Sequence, residues 1–231
     1  MNKVIEALRR GAVIGHRGYP LRRRENTLAS FAAAIEAGAD IVEMDVRSTK
    51  DGVVVVSHDD KIAVAGGYVD IRESRWLDIS TIKVGGEPIP RLEDALSLID
   101  GKVGVFIEIK DPADAPLVAE LVKGMSAENW VAVISFHEEA LMKTRGLAPL
   151  GLIYARPPGK IETARRLSCD IVLPNFRLAT AKAIAFAHRL GLLVAAWTVN
   201  DYDVMRMLWA RGVDGIASDD VELAVKSRKS I

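Results

Sequence analysis

The chain has 231 residues, 49% of them hydrophobic and 27% charged, with a formal net charge of zero, which suits one globular body around a sizeable core. That charge balance excludes a nucleic-acid partner held by bulk electrostatics. No apolar run reaches the roughly 20 residues of a membrane-spanning helix, and the opening MNKVIEALRR lacks the apolar stretch of a signal peptide.

In chain order, Ala12–His16 reads as a short strand ending in a polar His-Arg-Gly turn. Asn26 or Thr27 caps a helix over Leu28–Ala37, whose apolar face comes from Leu28, Phe31 and Ile35, and Gly38 ends it. Ile41–Val46 (IVEMDV) has the apolar, partly β-branched character of a buried strand. Lys50-Asp51-Gly52 signals a tight turn, and Val53–Ser57 runs back to deliver His58-Asp59. Residues 60 to about 90 hold two Gly-Gly pairs and little helical period, so they read as an insertion or lid.

After Pro90 the alternation becomes regular. A helix over Leu92–Ile99 leads to a strand over Val103–Ile109, and a helix over Leu117–Lys123 to a strand over Trp130–Phe136. Helix Glu138–Thr144 precedes strand Gly151–Ala155, and helix Ile161–Leu167 precedes strand Ile171–Leu173. Helix Lys182–Leu190 then leads to strand Leu192–Thr198, helix Val204–Arg211 to strand Gly215–Ala217, and a helix over Val221–Lys226 closes the chain. Alternating strands and helices with short connections imply a parallel α/β sheet, and eight such units imply closure into a (β/α)8 TIM barrel. An open doubly wound sheet is the rival, but no GxGxxG opens the first helix.

Barrel active sites form at the carboxyl ends of the strands, and the unusual polar residues cluster there: His16, Glu43, Asp45, Glu108, Lys110, Asn175, Trp197 and Asp219. Glu43 and Asp45 are two apart on one strand and share a face. Such a pair either faces solvent or holds a divalent cation; the apolar flanks Ile41, Val42, Met44 and Val46 favour a covered strand and hence the cation. Glu108 offers a third oxygen ligand, and Lys110 beside it a positive charge for a phosphoryl oxygen or for the acidic cluster itself. Of the remaining histidines, His188 reads as structural, late in a helix where its charge suits the dipole, and His137 as either a helix start or a substrate contact. Arg22-Arg23-Arg24 reads as a solvated loop or as a contact to an anionic substrate. Cys169, the single cysteine, leaves no intramolecular disulfide and fits a reducing compartment, so a cytoplasmic location is expected.

Taken in order, His16-Arg17-Gly18, Glu25-Asn26-Thr27, Glu43-Met44-Asp45, Thr49-Lys50-Asp51-Gly52, His58-Asp59, Glu108-Ile109-Lys110 and Trp197-Thr198-Val199-Asn200 resemble the motif set of the glycerophosphodiester phosphodiesterases. IPRLEDAL (Ile89–Leu96) and GVDGIASDD near the end are similar to that family's IPTLEEAL and GVDGIITD, so the resemblance spans nearly the whole chain. It implies a single TIM-barrel phosphodiesterase domain that cleaves a small-molecule glycerophosphodiester into glycerol phosphate and an alcohol. His16 and His58 would be the acid–base pair. Glu43, Asp45 and Glu108 would bind a divalent cation, Mg2+ or Ca2+ with Mn2+ as a third candidate. Arg17 and Lys110 would hold phosphate oxygens, and Trp197 would wall the glycerol side. Three departures stand out: Arg24 where the family usually has proline, a shorter segment after His58, and Ser218 in place of threonine. The alternatives are a lysophospholipase D-like hydrolase on the same scaffold, a non-catalytic barrel for a phosphate ligand, and a metal-dependent aldolase or isomerase.

Overall fold

The alternation closes into a ring. In the computed structural model, which describes residues 1–156 and 159–229, the ring strands are β1 (Ala12–Gly15), β2 (Ile41–Ser48), β3 (Gly104–Ile109), β4 (Val131–Ser135), β5 (Leu150–Tyr154), β6 (Ile171–Pro174), β7 (Leu193–Ala196) and β8 (Gly215–Ser218). Each pairs in parallel with the next, and β8 pairs back onto β1, leaving no free edge in the ring. A helix follows every strand, from Leu28–Glu36 after β1 to Val221–Lys229 after β8. The eight-unit alternation is therefore a TIM barrel, and the expected strand ends move by at most two residues.

Among the described residues, three apolar clusters hold it together. The largest lies between the ring and its helices, where Val42, Met44, Val105 and Ile107 meet Phe31, Leu92 and Leu96. A second fills the barrel, with Ile14, Ile41, Phe106, Ile134 and Ile171 pointing inward. The same strands thus bury both faces, which is why they read as continuous apolar runs.

One element outside the insertion was not expected. A seven-residue helix, Lys3–Arg9, stands at the N-terminal end of the barrel and sends Val4 and Leu8 into the inner cluster. The Asn2 side chain accepts from the Val4 backbone N–H and caps it. Two strand glycines make the room: a Cβ at Gly104 would lie 2.9 Å from Val4 Cγ2, and one at Gly215 would lie 2.8 Å from Leu8 Cδ2.

The turn after β2 leads into an antiparallel strand, Val54–Val56, which pairs with β2 from Val46 to Ser48 and places His58 over the barrel mouth. The insertion then holds two antiparallel hairpins, Lys61–Val64 with Gly67–Asp70 and Lys83–Val84 with Glu87–Pro88, separated by a short helix, Trp76–Ile79. Its own apolar cluster is small: Ile62, Ile71, Ile79 and Ile89 around Val55. Arg72 ties it to the barrel by donating to Asp114 at 2.8 Å and to Asp111 at 3.0 Å. Among the described residues no helix is long and apolar enough to cross a membrane.

Candidate active site

The His-Arg-Gly turn after β1 is bent by backbone conformation. Arg17 and Gly18 both take the left-handed region, at φ 55 and φ 91. Only glycine fits the second position, since a Cβ there would lie 2.4 Å from Ser30 Oγ. The bend aims the Arg17 backbone N–H into the barrel mouth, where it donates to Glu43 Oε2 at 2.8 Å. Thr27 caps the following helix by accepting from the Ser30 N–H, which frees Asn26 for the site.

Register places the acids. Asp45 on β2 stands opposite Glu108 on β3, and Glu43 lies two residues before Asp45 on the same face. Glu43, Asp45 and Glu108 each offer a carboxylate oxygen, and these atoms all lie within 4.8 Å of one another. Asp45 is 1% exposed and Glu43 4%. Asn26 Nδ2 donates to Asp45 Oδ2 at 2.9 Å, and the Asp45 backbone N–H donates back to Asn26 Oδ1 at 3.2 Å, so this amide locks the carboxylate. Lys110 Nζ donates to Glu108 Oε1 at 2.7 Å and lies 3.3 Å from Asp45 Oδ1, while Arg17 Nε lies 3.2 Å from Asp45 Oδ2.

Charges packed this closely cannot all be sustained by the protein alone. Burial, with the charge of Asp45 next in size, pushes the Glu43 carboxyl up to about 8. Burial also raises Glu108, again with Asp45 second. Burial works against the Asp45 charge as well, but Lys110 and Arg17 outweigh it and hold that carboxyl below the usual range. Among the described residues, Glu43 Oε1 is buried with no hydrogen-bond partner at all. An unpartnered carboxylate oxygen among three clustered carboxylates fits a hard divalent cation, which oxygen ligands suit.

His16 and His58 both line one cavity of ≈ 280 Å³ together with Arg17, Glu43, Glu108 and Lys110. Each ring is anchored on its own carboxylate. His16 Nδ1 is 2.7 Å from Asp219 Oδ1, and His58 Nδ1 is 2.8 Å from Asp59 Oδ1. A carboxylate only accepts, so each Nδ1 carries the proton and leaves Nε2 free for chemistry. Burial pulls the His16 imidazolium down, but the hydrogen bond to Asp219 and the charge of Glu43 outweigh it, so the ring titrates above its usual value. Asp219 is itself held by Asn200 Nδ2 at 2.6 Å.

The opposite half of the cavity is apolar, walled by Ile134, Phe136, Ile153, Leu173 and Trp197. Trp197 Nε1 donates to the Leu173 carbonyl at 2.7 Å, and its ring meets Phe136 edge-on at 5.5 Å. The eight residues to which the resemblance gave a catalytic, metal or substrate role converge: seven line this cavity, and Asp45 sits directly beneath through its contacts to Lys110 and Arg17. Others do not join them. His137 starts the helix Glu138–Lys143, Asn175 caps a short turn, and His188 pairs with Asp214 at 2.8 Å. Asn26, Asp59, Asp219, Asn200 and Phe136 belong to the site but were not singled out as ligands or catalysts. Asn26 lay inside a quoted motif and Asp219 at a strand end, so the signals were present while the partners were not visible.

The pattern of the Glycerophosphoryl diester phosphodiesterase family matches residues 16–223. The chain is similar to the glycerophosphodiester phosphodiesterase of Caldanaerobacter subterraneus subsp. tengcongensis, 33% identical over 92% of this chain and 96% of that protein. The crystal structure of a glycerophosphodiester phosphodiesterase from Thermotoga maritima is 30% identical, with a TM-score of 0.80 over 94% of this chain and 97% of that one. A crystal structure from Silicibacter pomeroyi DSS-3 superposes with a TM-score of 0.92 at 26% identity, over 100% of this chain and 98% of that one. With the site geometry and these likenesses in agreement, the chain belongs to the glycerophosphoryl diester phosphodiesterase family.

Proposed function

We propose that the protein hydrolyses glycerophosphodiesters to glycerol phosphate and an alcohol, using a divalent cation on Glu43, Asp45 and Glu108 and the imidazoles of His16 and His58. The observation that carries this reading is the meeting of three buried carboxylates and two carboxylate-anchored histidines on one cavity. When bound, the cation supplies electrostatic stabilisation of the phosphoryl oxygens. Arg17 and Lys110, on the same wall, oppose the charge that develops on the phosphorus centre. One imidazole takes a proton from the attacking hydroxyl through Nε2, and the other, protonated, gives one to the departing alkoxide. The attacking group is a water or the glycerol 2-hydroxyl by way of a cyclic phosphate, and the same two bases serve either course. Trp197 and Phe136 pack the carbon face of the glycerol. A cytoplasmic location is part of this reading, supported by Cys169, which is buried and unpaired.

A second reading has one specific observation in its favour. The apolar wall from Ile134 to Trp197 suits an acyl chain, as a lysophospholipase D-like hydrolase requires. The test is to follow glycerol phosphate release from a panel of glycerophosphodiesters, with chelator and then with Mg2+, Ca2+ or Mn2+ restored, alongside a lysophospholipid. Release that needs the cation and prefers the deacylated diesters supports the first reading. Preference for the lysolipid supports the second, and release indifferent to chelator contradicts both.

A further inference from the structure

A second cavity, of ≈ 160 Å³, adjoins the first, and His58 lines both. Its walls come from the Arg24–Thr27 loop and from the insertion, with Lys61 and Tyr68 on one hairpin and Glu87 on the other. We propose that this cavity seats the departing alcohol and selects one that carries both a carboxylate and an ammonium, an amino-acid headgroup of the serine type. The inference rests on the phosphodiesterase reading and deepens it.

A diester has two arms on phosphorus. With phosphorus against the carboxylate cluster and within reach of His58, one arm occupies the apolar barrel mouth and the other passes His58 into the second cavity. The side of His58 that meets this arm is the side from which a departing oxygen would be protonated.

The charges in the second cavity specify the ligand. Glu25 is already paired with Arg17 at 3.2 Å and Asp59 with His58 at 2.8 Å, so the two carboxylates each face a partner within the protein. Among the described residues, the side chains of Arg24, Lys61 and Glu87 have no ion pair or hydrogen bond, although all three line the same small space. Two unpartnered cations and one unpartnered anion match a ligand with a carboxylate and an ammonium. A neutral polyol could hydrogen-bond to these groups but would pair none of the three charges, and a choline-type group would leave both cations without a counter-charge. Arg24 is exposed, and its stem runs beside the second hairpin. Its Cδ lies 3.4 Å from where a Cβ on Gly85 would stand, so the arginine stem crosses the bare backbone of the second hairpin. A guanidinium presents the flat fork that binds a carboxylate through two bonds. The arginine in place of the family's usual proline thereby acquires a role.

The test compares kcat/KM for glycerophosphoserine, glycerophosphoethanolamine and glycerophosphoglycerol in the unaltered protein, R24A and E87Q, at saturating Mg2+. The serine diester is expected to be turned over best. R24A should lower the serine-to-ethanolamine ratio by up to about 5-fold, through KM, because an exposed charge contact is worth at most about that factor. E87Q should lower the ethanolamine-to-glycerol ratio by about 3-fold on the same grounds. Both substitutions lie at the surface, and unchanged thermal unfolding checks that the variants fold. Ratios within 2-fold of one another in the unaltered protein, or unmoved in both variants, overturn the headgroup inference while the phosphodiesterase reading stands. Cleavage of none of the three overturns both.

Discussion

His16 is anchored by a residue 203 positions away in the chain. The Asp219 carboxylate fixes the tautomer and raises the imidazolium, and Asn200 fixes Asp219. His16→Ala should lower turnover by about 10²–10⁴-fold with the fold intact, the range for a lost general acid or base. Near-normal turnover would count against that role. Asp219→Asn tests the anchoring separately. Removing a charge that raises the His16 value lowers it, so the limb of the pH–rate profile reporting His16 should move to lower pH, with a smaller loss of kcat than in His16→Ala. A limb that stays in place would show that Asp219 does not tune the ring. At this scale the identities of His16, Glu43, Asp45 and Glu108 were legible, because strand periodicity and motif order mark them. The pairing of His16 with Asp219 was not. It depends on β1 lying beside β8, with Gly15 opposite Ser218, a consequence of ring closure and of nothing local.

Elements differ in how openly the sequence declares them. The eight helix–strand units were legible because each carries a covered strand and an amphipathic helix bounded by a turn. The helix Lys3–Arg9 was not, since seven residues with Val4 and Leu8 on one face make too short a pattern to stand out. Its importance appears only in three dimensions, where it fills the N-terminal end of the barrel against Gly104 and Gly215. Leu8 is fully buried there, so Leu8→Ala should destabilise the protein by about 2–5 kcal/mol, read from urea unfolding. A cost under about 0.5 kcal/mol, typical of a surface position, would mean that the helix does not seal the barrel. The hairpins of the insertion were illegible for a different reason. Strands of two to four residues carry no usable period, and their register is set by packing on Ile62, Ile71 and Val55.

The whole molecule is neutral, yet its centre is not. Net charge of zero sums over 31 basic and 31 acidic residues, while folding gathers three carboxylates into a space that water barely reaches. Lys110 and Arg17 offset part of that charge, and Glu43 Oε1 is left without a partner. Folding therefore builds a centre whose stability should depend on a divalent cation, by mass action on the native state alone. The most direct measurement is a calorimetric titration of Mg2+, Ca2+ and Mn2+ into the chelator-treated protein and into Glu43→Gln, with thermal unfolding of each. The expected result is one cation bound per chain with a rise in unfolding temperature, and in Glu43→Gln an affinity at least about 10-fold weaker in a protein that still folds. Equal affinity in the two proteins, or no binding by either, would contradict a cation centre on Glu43, Asp45 and Glu108.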